Sequence, residues 1–143
     1  HGLRGGRPPV ADLDAAAALH ALVAVLVRDR VVAGVHDCAH GGIAVTLAEM
    51  AVAGATGFEV AVGGPLDCFS ESASRVLLSV EPGRVSEVLD RASAADVPVT
   101  EIGVAGGDRL VATGVFDLGR AEAEAAWRGA VPRVMGAREP AGA

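Results

Sequence analysis

The residues best equipped for chemistry fall in two short segments. The first is His36-Asp37-Cys38-Ala39-His40-Gly41-Gly42, which separates a β-branched run from an alanine-rich helical pattern. Three readings suit it. As an anion site, Gly41 and Gly42 would let the backbone approach a phosphate, and a helix N-terminus behind them would add partial positive charge. As a metal site, His36, Cys38 and His40 alternate along one face of an extended chain, with Cys68 as a fourth ligand; their spacing matches no zinc motif. As a plain strand-to-helix turn, Asp37 would cap the helix and the glycines would fit the bend. The turn accounts for the residues with the fewest assumptions, and the metal reading ranks last.

The second segment is Phe69-Ser70-Glu71-Ser72-Ala73-Ser74-Arg75, just ahead of another apolar run. Ser70, Ser72 and Ser74 with the Arg75 guanidinium could ring a phosphate. They could equally form a polar loop that satisfies its own backbone, with Arg75 pairing to Glu71. Gly41-Gly42 and Ser70 to Arg75 are expected on one edge of the domain, as a polar rim for a phosphate group or a neighbouring domain. Glu49 is the only acid in its helical pattern, and is a base candidate, a solvated residue or the partner of an arginine. Trp127 reads as a core or interface plug, and His20 as a histidine packed within an apolar stripe.

Composition narrows the chemistry. All twelve basic residues among the 143 are arginine, so a Schiff base and a phosphate-loop lysine are excluded. A net charge of −6, with no tyrosine and one tryptophan, argues against a nucleic-acid surface. No Gly-x-Ser-x-Gly elbow or His-Glu-x-x-His helix occurs. Cys38 and Cys68 do not make a disulfide framework, and are expected reduced, in a cytoplasmic setting. The apolar stretch Ala15 to Val27 is too short to span a membrane.

These segments need a scaffold. His1 to Val10, with three Gly and two Pro, reads as an arm or linker, and 137–143 as a tail around a single domain over 11–136. The chain begins without Met, which reads as a cut or processed end. Asp12 or Asp14 can cap a helix to about Arg28, with Leu19, Leu22, Val23 and Leu26 on one face. Further helices are expected over 43–53, 82–95 and 120–131, the last ending near Pro132. Strands are expected near 31–36, 58–62, 75–80, 97–104 and 109–113, the last two joined by a hairpin turn at Gly106-Gly107-Asp108. The result is an α/β (α+β) fold: a mixed β-sheet with helices packed on it, on a central β-α-β-β-α-β order.

Read in order, the segments acquire specificity. "HDCAHGGIAVTLAEMAVAGATGFEV" resembles the HD-x-S-(D/E)-GGLA-x-x-LAE-x-A stretch of phosphoribosylformylglycinamidine synthase, the fourth-step enzyme of purine biosynthesis. "FSESASRVLLSV" is similar to its (G/S)-E-S-x-S-R segment, and "VPVTEIGVAGGDRL", "GVFDL" and "AEAAWRGAVPRVMG" look like its closing elements. The resemblance covers nearly the whole chain. It implies the C-terminal domain of an aminoimidazole-ribonucleotide-synthetase-like pair, as the second C-type copy in a much longer parent. It also implies an ATP-dependent ligase that takes ammonia from glutamine, in which ATP, magnesium and the catalytic residues lie upstream and this domain is inactive alone, with no cofactor of its own. Asp37, Gly41, Gly42, Ser70, Glu71, Ser72, Ser74 and Arg75 would then form a ligand or domain-interface rim, with no metal. The implied partners are the upstream domains, a glutaminase subunit or domain, and a small helper subunit; neither nucleic acid nor membrane is expected. A standalone nucleotide- or phosphate-binding module of the same architecture is the alternative. His40 stands where the family usually has an acid, and Ala39 where it usually has Ser, so any polar duty of that acid is in doubt here.

Overall fold

The computed structural model describes residues 10–136. The expected tail lies outside these residues, as does all of the expected arm but Val10. Helix α1 (Leu13–Arg28) starts at Asp12, whose carboxylate accepts from the amides of Asp14 and Ala15 at 3.1 and 3.0 Å. That satisfies two of the donors a helix start leaves open. Leu22 and Leu26 are buried from α1. His20 is exposed rather than packed. Two residues from Leu22 is more than half a turn of the helix, so His20 points away from the buried stripe.

Strand β1 (Gly34–Asp37) pairs antiparallel with β3 (Val76–Ser79), with Val35 opposite Leu78. This two-stranded ribbon adjoins a small core of Leu22, Leu26, Val31, Val88 and Ala92. Val88 and Ala92 come from α4 (Val85–Ala94), which follows a single 3₁₀ turn at Pro82–Arg84. Arg91 of α4 reaches Glu87 at 2.6 Å and Asp29 at 2.7 Å, tying α4 to the end of α1. The Arg91 hydrogen bond, helped by Arg28, holds the Asp29 carboxyl below its ordinary value.

The second sheet has four strands in the order β4-β2-β5-β6. Here β2 (Phe58–Val60) lies antiparallel to β4 (Gly103–Ala105) and parallel to β5 (Arg109–Ala112), and β6 (Phe116–Gly119) closes antiparallel on β5. Phe58, Val60, Leu110 and Ala112 face its core, joined by Ala44 and Ala51 of α2 (Gly42–Gly54) and by Cys68 of α3 (Pro65–Phe69). The rings of Phe58 and Phe116 meet edge to face, 6.4 Å between centroids. Helix α2 is the shared element: it touches β1 and β3 of the ribbon, β5 of the larger sheet, α3, and α5 (Arg120–Val134).

The α/β class and the mixed sheet are as the sequence implies, with three differences of pairing and extent. First, the strands divide between two sheets. Second, 106–108 is not a hairpin turn, because β2 is inserted between β4 and β5. The Gly57 amide donates to the Gly107 carbonyl and the Gly106 amide to the Gly57 carbonyl, both at 2.8 Å, so the loop arches over the start of β2. Third, the strand expected over 97–104 shrinks to Gly103–Ala105. Pro98 has no amide to give a ladder, and the Ile102 carbonyl accepts a single loop bond from Ala61 at 2.8 Å. Helix α3 and strand β6 are additional elements. Helix α5 continues through Pro132 because a proline this close to the end forfeits little; the Met135 amide still reaches the Val131 carbonyl at 3.0 Å.

The arch gives a stability test. A Cβ on Gly57 would collide with the Arg109 backbone and stand 2.8 Å from the Gly106 carbonyl oxygen, whereas one on Gly106 would meet nothing within 4 Å. Gly57→Ala is expected to cost about 2 kcal/mol or more in urea unfolding, and Gly106→Ala to stay within about 0.5 kcal/mol of the parent.

Candidate functional site

Helix α2 can begin where it does because two consecutive residues adopt left-handed backbone. Gly41 has φ +77° and Gly42 φ +63°, a conformation that costs a side-chain-bearing residue about 1–2 kcal/mol. No side chain of the preceding turn caps the helix. At Gly42 the loop after α3 comes in so close that a Cβ would lie 2.6 Å from the Ser70 carbonyl oxygen and 2.8 Å from that of Cys68. At Gly41 the backbone amide donates to Glu71 Oε1 at 2.9 Å. The two chemistry-bearing segments, thirty residues apart in the chain, therefore meet at the start of α2.

Asp37 does not cap α2. It ends β1, and its exposed carboxylate is too far back in the chain to reach the open amides. Its carbonyl is the working group: Thr46, fully buried, donates its hydroxyl to the carbonyls of Gly42 at 2.9 Å and Asp37 at 3.3 Å. His36 has acceptors at both ring nitrogens, the Asp37 carbonyl 2.9 Å from Nδ1 and Glu49 Oε2 3.1 Å from Nε2. Glu49 is thus the partner of a histidine rather than of an arginine.

Arg75 is turned inward. Its Nη2 donates to the Ser70 carbonyl and, at 3.3 Å, to the Ser70 hydroxyl; its Nη1 donates to the Asp67 carbonyl at 3.4 Å. It does not pair with Glu71. Its Nε is buried with no partner among the described residues. Its carbonyl accepts from the Cys38 amide at 2.9 Å, which sews the loop to the end of β1. Ser72 and Ser74 are exposed, as is His40. Burial pushes the half-buried Cys38 thiol above its ordinary value, against a smaller opposing hydrogen bond with Thr46, so it is a poor nucleophile at neutral pH. Cys68 is fully buried, 3.6 Å from the Val62 carbonyl oxygen. Both cysteines are free thiols. Among the described residues, no three His, Cys, Asp or Glu side chains gather as a metal would need.

The charged groups that could grip a phosphate are therefore engaged within the protein. Glu71 occupies the place an anion would take at the start of α2, and Arg75 satisfies loop carbonyls. The outward-facing polar groups of the rim are Asp37, Ser72, Ser74 and His40. A second feature adjoins the second motif only at Phe69: an apolar cleft of about 400 Å³ between α2, α5 and the larger sheet. Its walls include Val45, Phe69, Leu118 and Trp127. The sequence signal for it was Trp127 on an alanine-rich helix, which fits the reading of that residue as an interface plug.

Arg75→Ala is expected to lower the melting temperature by several degrees, about 1–2 kcal/mol, because two loop carbonyls lose their donor. Glu71→Ala removes an external cap and is expected to cost about 0.5–1 kcal/mol. If Arg75→Ala instead leaves melting unchanged and weakens phosphate binding, Arg75 is a ligand grip and not a brace.

Comparison with known proteins agrees with this architecture. Residues 1–115 match the family described as AIR synthase related protein, C-terminal domain. The phosphoribosylformylglycinamidine synthase subunit PurL of Moorella thermoacetica is 41% identical over 143 residues, covering 94% of this chain and 20% of its own length. That of Thermobifida fusca is 37% identical over 141 residues, covering 95% of this chain and 18% of its own. The chain thus spans about a fifth of the length of the curated relatives it matches. Among solved structures, T. maritima PurL complexed with ATP superposes with a TM-score of 0.73 at 19% identity, over 85% of this chain and 23% of that one. The same protein complexed with FGAR gives 0.72 at 18% identity, over 81% and 22%. At this identity the superpositions speak for the fold. Taken with the matched residues 1–115, they establish that the chain belongs to the AIR synthase related protein C-terminal domain family.

Proposed function

We propose that this chain is the last domain, the second C-type copy, of a phosphoribosylformylglycinamidine synthase. That enzyme joins formylglycinamide ribonucleotide, ATP and glutamine-derived ammonia to give the amidine, ADP and phosphate. The observation that carries the reading is the 41% identity to a PurL subunit running over 94% of the chain, a span that takes in both motif segments. The domain serves the parent as structure and has no turnover alone. ATP and magnesium belong to the rest of the parent; the rim at the start of α2 supports this, since its carboxylate and guanidinium are already engaged and no acidic cluster stands beside them among the described residues.

The partners that follow are the other domains of the same polypeptide, a glutaminase and a small helper subunit. One matching structure is that of PurLQS from Thermotoga maritima, a complex of PurL itself. No described helix is long and apolar enough to cross a membrane. A free-standing nucleotide-binding module is the weaker reading, because Glu71 would have to leave the Gly41 amide before an anion could take its place.

The test compares two proteins in one assay. The purified 143-residue chain, given formylglycinamide ribonucleotide, ATP, magnesium and ammonia, is expected to release no ADP above background. The longer chain that contains it is expected to release ADP only when the ribonucleotide is present. Turnover by the isolated chain, or a longer chain indifferent to the ribonucleotide, overturns the reading.

A further inference from the structure

One feature of the surface that neither motif explains is the apolar cleft. Its floor is made of small residues, Ala44 and Ala48 of α2 and Ala123 of α5, with Leu110 beneath. Its rim is made of large ones that stay open: Phe69 is 50% exposed and Trp127 53%. Beyond Trp127 the same helix shows Val131 and Val134 to solvent, at spacings of four and three residues that continue one stripe. No residue of α5 is fully buried across its fifteen positions. A helix of this length is marginal in water unless an apolar face is packed, so α5 lacks the burial that would hold it.

We propose that this cleft and the α5 stripe are the seat of another domain of the same polypeptide, which inserts large apolar side chains between α2 and α5. The inference rests on the reading of the chain as one domain of a longer ligase. Three observations choose this occupant. About four fifths of the length of the curated relatives lies outside the region this chain matches. The overlap with the PurL subunit, 94% of this chain, takes in α5, whereas the generic family match stops at residue 115. The helix that forms one wall is thus shared with relatives of which this region is about a fifth. The size of the cleft also fits. A space of about 400 Å³ takes a few side chains. A covalently linked domain can be held by so small a contact, because tethering supplies an effective concentration near the millimolar range.

The cleft is nearly devoid of polar lining. Glu49, the one acid at its edge, is held by His36 at 3.1 Å. The occupant is therefore apolar, with no buried cation to meet.

The experiment uses the full-length protein. Ala126→Cys places a thiol at the cleft, and Ser93→Cys places one on the exposed side of α4 as a control. Maleimide labelling of each is followed by peptide mass spectrometry, native and in urea. Native labelling at Ala126→Cys is expected to be slowed about 100-fold or more, with Ser93→Cys close to its urea rate. Equal labelling of the two overturns the proposal. Protection that vanishes on dilution, together with a mass by light scattering that halves, makes a second copy the occupant and also overturns it. Should Ala126→Cys fail to fold, hydrogen exchange on the unaltered full chain replaces it: amides 120–134 protected to the level of α2 support the proposal, and rapid exchange there refutes it. ADP release from formylglycinamide ribonucleotide is read in parallel. An active enzyme with an open cleft loses the interface alone, and an inactive one with a protected cleft loses the ligase reading alone.

Discussion

At Gly42 the backbone of one helix lies against the backbone of the loop leaving another, with no room for a side chain between them. The carbonyls of Cys68 and Ser70 occupy the volume any Cβ would need. Much of the structure depends on that contact. It sets where α2 begins, and α2 is the element that both sheets share. It brings Glu71 within 2.9 Å of the Gly41 amide, and it places Thr46, one turn on, to cross-link the helix start with the end of β1. Left-handed φ at two successive positions, with a Cβ meeting Val45 at the first and loop carbonyls at the second, makes glycine the residue both sites require.

The electrostatics of the same corner explain how polar residues that in sequence could ring a phosphate come to be engaged with one another. An open helix N-terminus attracts negative charge, and Glu71 supplies it from within the chain. Loop carbonyls buried near Arg75 need donors, and the guanidinium supplies several at fixed geometry. The ligand set expected for a phosphate is thus used to join β1, α2, α3 and β3. The Glu71 carboxylate and the Arg75 guanidinium fix the geometry of the corner, leaving two hydroxyls, the Asp37 carboxylate and one imidazole facing outward.

The cores are small. One centres on five buried residues between the ribbon, α1 and α4, and the other on eight beneath the larger sheet. A chain that is 51% apolar carries more apolar surface than these two cores absorb, and part of the remainder lies open along the cleft and α5. Buried area per residue rises with size, so a unit of this length gains from a neighbour what its own cores do not supply.

Most of the elements were legible in the sequence, α3 and β6 excepted. The stripe that buries Leu22 and Leu26, the one that buries Val88 and Ala92, and the β-branched runs are local periodicities, and each survives into the fold. Family membership was legible too, since it rests on residue order. Partners were not. Alternation says which face of a strand is buried but nothing about its neighbour, so the insertion of β2 between β4 and β5 could not be read from Gly106-Gly107-Asp108. Nor could the inward turn of Arg75, because a guanidinium that braces carbonyls and one that grips phosphate have the same sequence surroundings. His20 sat in an apolar run and faces solvent, since helical phase, not composition, decides exposure. Only the tertiary structure fixed which charges were already satisfied and which apolar faces were still open, because both depend on contacts between segments far apart in the chain.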